Sequence, residues 1–172
     1  MAHQTTSTAT GSHHEPHAVL GAHEYEGGVT VRTLKPFASE VAVLLPDGSA
    51  HAMEHEHDGI WTVALPLAEV PSYRIRVTWS PGENWVDLEE PYRFLPTIGE
   101  LDLHLIREGR HEELWRALGA HVRTVDGVEG TSFAVWAPNA RAVQVIGSFT
   151  SWDGRLHSMR SLGTSGVWEL FV

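Results

Sequence analysis

The sequence predicts an all-β chain of two tandem β-sandwich modules joined by a short helical connector. Three observations predict it. Short β-branched runs punctuated by turn signals begin at Gly28. A pattern of segments recurs later in the chain, and a single stretch between the two copies carries helical spacing.

Taken in order, Val29 to Leu34 and Glu40 to Leu45 are the first two runs, separated by Lys35-Pro36-Phe37-Ala38-Ser39. Pro46-Asp47-Gly48-Ser49 is a turn because proline fixes φ and glycine accepts a positive one. Asp58-Gly59 is another, and it opens the strand Ile60 to Leu65. Tyr73 to Trp79 alternates apolar and charged positions, so one face is buried and the other wet. A short strand follows near Trp85 to Leu88, and Pro91 to Gly99, with Pro91, Pro96 and Gly99, reads as a linker edge. After Leu101 to Ile106, the predicted helix runs Arg110 to Leu118 with Leu114, Trp115 and Leu118 on one face and Gly119 as its C-cap. Strands resume at His121, Thr131 to Ala137, Arg141 to Ile146 and Val167 to Val172.

The repeat joins these elements into two copies. Gly21-Ala22-His23 recurs as Gly119-Ala120-His121, and Lys35-Pro36-Phe37-Ala38-Ser39-Glu40-Val41 lines up with Ala137-Pro138-Asn139-Ala140-Arg141-Ala142-Val143. Gly59-Ile60-Trp61 matches Gly166-Val167-Trp168. The first copy continues through Tyr73 to Phe94, whereas four residues follow Trp168 in the second. The second module is therefore expected to be C-terminally incomplete, with an apolar strand left as an unpaired edge and Phe133, Val135, Val145 and Leu170 partly wet. The predicted organisation is a disordered tail over 1–14, a first module over 15–99, a connector with helix over 100–119 and a second module over 120–172.

Composition narrows the function. Of 172 residues 42% are hydrophobic, enough to bury real cores, and the formal net charge is −10 with Lys35 the single lysine. No basic footprint exists for a polyanion, so nucleic acid and anionic membranes are poor partners. There is no cysteine, which removes disulfides, thiolate metal sites and thiol nucleophiles. The first residues lack the apolar region of a secretion signal and no long apolar run follows, which reads as cytoplasmic.

The remaining clusters favour plain readings. His3, His13 and His14 belong to the solvated start. His51, His55 and His57 with Glu54 and Glu56 offer metal-ligand chemistry, but they read as a solvated hairpin arm between two turns. His111-Glu112-Glu113 has Trp115 where a zinc-protease helix needs its second histidine, and its carboxylates instead complement a helix start. Neither a phosphate loop nor a strained Gly-x-Ser-x-Gly elbow is present. No metal and no cofactor is expected.

Gly130-Thr131-Ser132-Phe133-Ala134-Val135-Trp136-Ala137-Pro138-Asn139-Ala140, then Gly147-Ser148-Phe149-Thr150-Ser151-Trp152-Asp153-Gly154 and Gly166-Val167-Trp168-Glu169-Leu170, closely resembles the glycogen-binding-type module of bacterial glycogen branching enzymes. Pro16 to His23, Glu108 to His111 and Leu114 to His121 resemble the extra N-terminal module of the same family and its connecting helix. Ser148-Phe149-Thr150 departs from the Asp-Phe-Asn usual in that family. The resemblance implies immunoglobulin-like sandwiches and the N-terminal part of a 1,4-α-glucan branching enzyme, which cleaves α-1,4 bonds and forms α-1,6 branches. The family's retaining carboxylate pair sits on a (β/α)8 barrel of roughly 250 residues, so no catalytic residue is assigned in this chain.

The implied partners are α-glucans of the glycogen or amylose type and the catalytic barrel of a full-length enzyme. Alternatives are a stand-alone carbohydrate-binding or adaptor protein, or the start of a debranching or trehalose-forming relative. Trp152 reads either as a sugar contact, its indole stacking on the apolar face of a glucose ring, or as a tryptophan that covers the core. Trp79 and Trp85 fall where related modules place a second sugar platform. Trp61, Trp136 and Trp168 read as core residues.

Overall fold

The computed structural model describes Thr8 and residues 15–172, and divides into two compact units, His17–Arg93 and Phe94–Val172. The tail predicted over 1–14, with His3, His13 and His14, lies outside the described residues apart from Thr8, which is buried. Strands dominate both units, in three antiparallel sheets, and the all-β class holds.

The first unit is a sandwich of two four-stranded sheets. One has the order β1-β2-β6-β5, with β1 Gly21–Tyr25, β2 Gly28–Leu34, β5 Glu54–His57 and β6 Ile60–Leu65. The other has the order β4-β3-β7-β8, with β3 Glu40–Leu44, β4 Ala50–Ala52, β7 Arg74–Thr78 and β8 Val86–Leu88. Period-2 alternation turns Val29, Val31 and Leu65 from one sheet toward Val41, Val43, Ile75 and Val77 from the other. Each such aliphatic side chain, taken fully out of water, contributes about 1.5–3 kcal/mol.

His51 and the pair His55 and His57 do not share a hairpin arm: β4 and β5 belong to different sheets. The chain crosses between them at Met53, which is buried and whose N–H donates to the Val41 carbonyl at 2.8 Å. A buried apolar residue between two largely exposed strands marks that crossover.

The second unit carries one sheet of order β11-β12-β10-β9, formed by β9 Gly119–Val125, β10 Val128–Trp136, β11 Arg160–Ser161 and β12 Val167–Phe171. The principal helix, α1, is Glu100–Arg107, and the predicted Arg110–Leu118 helix contracts to one turn, α2, Leu114–Ala117. The alternating leucines 101, 103 and 105 mask the helical contacts, which are Leu103 and Ile106 three residues apart, packed with Ile98, Ala134, Val167 and Leu118. Gly119 is not the C-cap. Leu118 takes that place in an extended conformation, donating to the Leu114 carbonyl at 2.7 Å, and Gly119 opens β9.

Two expectations for this unit are corrected. Arg141 to Ile146 forms no regular strand: it is held by a single bridge, Gln144 opposite Ser158. β12 is not an unpaired edge, since β10 and β11 flank it and Phe94 packs edge-on against Phe171 with ring centroids 4.7 Å apart. Leu170 and Val145 are accordingly buried, while Val135 is exposed.

Candidate functional site

Trp152 stands on the loop Gly147–Gly154, and it is 69% exposed. It does not cover the core. The loop is braced from below by Thr150, whose buried hydroxyl donates to the Gly147 carbonyl at 3.0 Å while accepting from the Gly147 N–H at 3.2 Å. Trp152 N–H donates to the same Gly147 carbonyl at 3.0 Å. Ser151 and Trp152 are both left-handed, at φ 51 and 62°. Such a conformation costs an L-residue roughly 1–2 kcal/mol, and it aims a large indole into solvent.

Asp153 fixes the far end of the loop. Its carboxylate accepts from the Arg155 N–H at 2.9 Å and from Arg155 Nε at 3.0 Å. The hydrogen bonds from Arg155 hold the Asp153 carboxyl below its ordinary value, against the smaller opposing effect of burial. Phe149, also exposed, sits edge-on to His157 with centroids 5.7 Å apart.

A second aromatic surface belongs to the first unit. Trp79 and Trp85, 40% and 59% exposed, flank the turn Ser80-Pro81-Gly82-Glu83, closed by Glu83 N–H donating to the Ser80 carbonyl at 3.0 Å. Proline at the second turn position and Gly82 at φ 85° suit a type II turn. The Arg76 guanidinium carbon lies 4.8 Å from the Trp85 ring centroid. Asp87, opposite Arg76 in the β7–β8 register, takes two hydrogen bonds from that guanidinium, at 2.7 and 2.9 Å. Sequence reading placed Arg76 on the wet face of its strand but could not pair it with Asp87, since the register across the hairpin is invisible in one dimension.

Trp61 and Trp168 are buried as expected, but Trp136 is 57% exposed. It continues the inward parity of Ser132 and Ala134, yet it lies at the end of β10, on the wall of a groove of about 210 Å³ lined by Ile106, His111, Leu114 and Leu118. In that groove His111 Nδ1 accepts from the Glu113 N–H at 3.2 Å, leaving Nε2, 3.0 Å from Asp102, to donate.

Charged groups that are buried serve the fold. Glu169, on β12, takes Thr97 N–H and hydroxyl bonds at 3.1 and 2.9 Å and an ion pair from Arg160, whose other nitrogen reaches the Phe94 carbonyl at 3.0 Å. Glu90 is likewise sealed in the first unit, where the Thr33 hydroxyl donates to it and Lys35 Nζ lies at 3.5 Å. Burial, reinforced by the charge of Glu90, pushes the Tyr73 hydroxyl far above its ordinary value, so it stays protonated. Among the described residues no cluster of three or more His, Asp or Glu is arranged to hold a metal, and no helix is long and apolar enough to cross a membrane.

Two family models match the chain: the N-terminal domain of the α-1,4-glucan branching enzyme GlgB over residues 1–92, and carbohydrate-binding module 48, the isoamylase N-terminal domain, over residues 117–172. A 1,4-α-glucan branching enzyme of Streptomyces coelicolor is 56% identical over 162 residues, 94% of this chain and 22% of the relative. That of Thermobifida fusca is 56% identical over 166 residues with the same coverage, and that of Leifsonia xyli 52% over 172 residues, 96% of this chain and 23% of the relative. The chain thus spans under a quarter of the length of these curated relatives. The apo pullulanase of Paenibacillus barengoltzii aligns with 61% of this chain and 17% of its own at 23% identity, with a TM-score of 0.37. The model over residues 1–92 covers more than half of the sequence, and the chain belongs to the family of GlgB-type branching-enzyme N-terminal domains.

Proposed function

We propose that this chain is the glucan-handling N-terminal region of a cytoplasmic 1,4-α-glucan branching enzyme of glycogen synthesis. Its two immunoglobulin-like modules, 15–99 and 120–172 with the connector 100–119 between them, steady the catalytic barrel of the full-length enzyme and present α-glucan to it. Trp152 is the principal sugar contact, with Trp79 and Trp85 forming a second. The observation that carries this reading is Trp152 itself: a large indole, 69% exposed, held out of the core by a backbone conformation that an L-residue adopts only at a cost.

An exposed indole on a loop held by backbone hydrogen bonds suits a pyranose because the ring's C–H face is apolar while its hydroxyls stay wet. No retaining carboxylate pair is assigned, and the chain alone leaves the iodine spectrum of amylose unchanged. Electrophoresis through a glycogen-containing gel tests the binding role. The chain is retarded in the millimolar range, about −4 kcal/mol, and Trp152→Ala lowers the retardation. Equal retention of both proteins would overturn the assignment.

A further inference from the structure

In the second unit the end of α1 closes on itself. Gly109, left-handed at φ 64°, donates its N–H to the Ile106 carbonyl at 3.0 Å, and Arg110 donates to that of Leu105 at 2.9 Å, the two bonds of a Schellman motif. The α2 turn, four residues long, has no such closure. No side chain caps its Glu113 end, and its backbone bonds are Arg116 N–H to the Glu113 carbonyl at 2.9 Å and Leu118 N–H to that of Leu114 at 2.7 Å. A single turn orders several residues for few bonds, so it depends on what holds it from outside. The polar tie between this turn and α1 is His111.

The His111 side chain is 8% exposed, and both ring nitrogens are engaged. A backbone N–H can only donate, so the 3.2 Å bond from Glu113 requires a bare Nδ1 and fixes the ring as the neutral Nε2–H tautomer. Nε2 then donates to Asp102 Oδ1, on α1, at 3.0 Å. A second proton goes onto Nδ1, where it faces the Glu113 N–H donor against donor. That bond is lost, while the bond to Asp102 becomes an ion pair and strengthens. Protonation therefore acts on the two bonds with opposite sign, and the one that breaks is the one to the weaker element. Among the charged groups near the ring, α1 carries Asp102, His104 and Arg107. The segment between the helices carries Glu112 and Glu108, the latter 3.5 Å from Arg110. The Glu113 carboxylate is 3.2 Å from Arg116 of α2, and β10 contributes the uncharged Trp136.

We propose that His111 is a pH-sensitive latch on the groove walled by Ile106, Leu114, Leu118 and Trp136. Neutral, it ties the Glu113 end of α2 to α1 and keeps Leu114 in the groove wall. Protonated, it stays with Asp102 and releases the turn, so the wall that Leu114 forms loosens. Imidazole is the side chain whose ordinary charge change falls between pH 5 and 8, so the latch works while the surrounding carboxylates and guanidinium groups stay charged. The device is independent of the glucan reading, since neither Trp152 nor the turn between Trp79 and Trp85 takes part in it.

The test follows the 172-residue chain by nuclear magnetic resonance and amide hydrogen exchange from about pH 8 to about pH 5. At the upper end the His111 Nδ1 resonance is that of a bare, hydrogen-bonded ring nitrogen. As it protonates, the Glu113 amide proton moves upfield, as a freed N–H does, and protection of the Arg116 and Leu118 amides, corrected for intrinsic exchange, falls about tenfold, the loss of one hydrogen bond. The chain has 12 histidines, so a variant assigns the effect. His111→Gln keeps a donor and an acceptor but takes up no proton, and its protection stays level across the range. Asp102→Asn keeps an acceptor for Nε2 but removes the anion that favours the charged ring, so the loss of protection moves to lower pH. Thermal unfolding checks that both variants fold, and the wild-type resonances of His111 and Glu113 decide the matter without them. An Nδ1 already protonated at the upper end would overturn the latch. So would protonation that leaves the Glu113 amide and the Leu118 protection unchanged, or a pH-dependent loss that survives in His111→Gln.

Discussion

The indole nitrogen of Trp168 donates to the carbonyl oxygen of Ala137 at 3.0 Å, and Trp61 makes the same bond to Lys35 at 3.2 Å. Around each pair the geometry repeats. Lys35 and Ala137 donate their N–H groups to Gly59 and Gly166, both at 2.8 Å. Gly59 and Gly166 are left-handed, and a side chain on either would collide with Pro36 or Pro138. His23 Nε2 contacts the Leu20 carbonyl at 3.1 Å, as His121 Nε2 contacts that of Leu118 at 2.9 Å. Two stretches of different sequence therefore fasten one strand to the loop that follows its neighbour by the same bonds.

If these tryptophans pin the two copies in the same way, losing the donor has the same consequence in each. Trp61→Phe and Trp168→Phe each cost about 1–2 kcal/mol, one hydrogen bond plus a partial loss of burial. Urea unfolding followed by circular dichroism measures both. A cost below about 0.3 kcal/mol at either position would show that the bond is incidental.

In the Arg160–Glu169 pair Glu169 is fully enclosed and Arg160 is partly buried. Arg160→Met leaves the buried Glu169 carboxylate without its cationic partner and costs about 3–5 kcal/mol, whereas Arg160→Met with Glu169→Gln recovers a large part of that loss. Denaturant midpoints of the two singles and the double give the coupling directly. Additive losses would mean that Thr97 alone satisfies Glu169.

Much of this was legible in the sequence, because period-2 alternation and turn residues are local signals. The strand Ile60–Leu65 and the burial of Trp61 and Trp168 follow from them. What local patterns miss is where cover ends. Trp136 continues the parity of Ala134, but it lies at the strand's end and is exposed. The helix Glu100–Arg107 hides beneath alternating leucines, and Arg141 to Ile146 looks like a strand although only residues near Ser158 pair with it. The exposure of Trp152 was foreshadowed by its turn, but its left-handed backbone was not, since no glycine announces it.

That conformation separates stability from binding. Trp152→Gly relieves the left-handed strain and removes an exposed side chain, so the second unit gains about 1 kcal/mol or stays level. Glycogen retention falls in the same variant. Thermal unfolding and affinity gels run in parallel decide it: a clear loss of stability would show that the indole supports the fold instead.

The Asp153 carboxylate gives the Trp152 loop an acid limit. Its folded pKa is held down chiefly by the Arg155 hydrogen bonds. A depressed carboxylate contributes stability above its unfolded value, near 3.9, and that contribution is lost as pH falls through the folded value. Asp153→Asn removes both the charge-assisted bonds and the titration. The wild type should therefore unfold at a higher temperature than Asp153→Asn by a constant margin from pH 7 to about pH 5, and the margin should close below about pH 4. Glycogen retention should follow the same course, because the loop that closes on Arg155 carries Trp152. Melting curves of the two proteins across this range measure the margin, and one that persisted unchanged to about pH 2.5 would mean that the Asp153–Arg155 contact does not hold the loop.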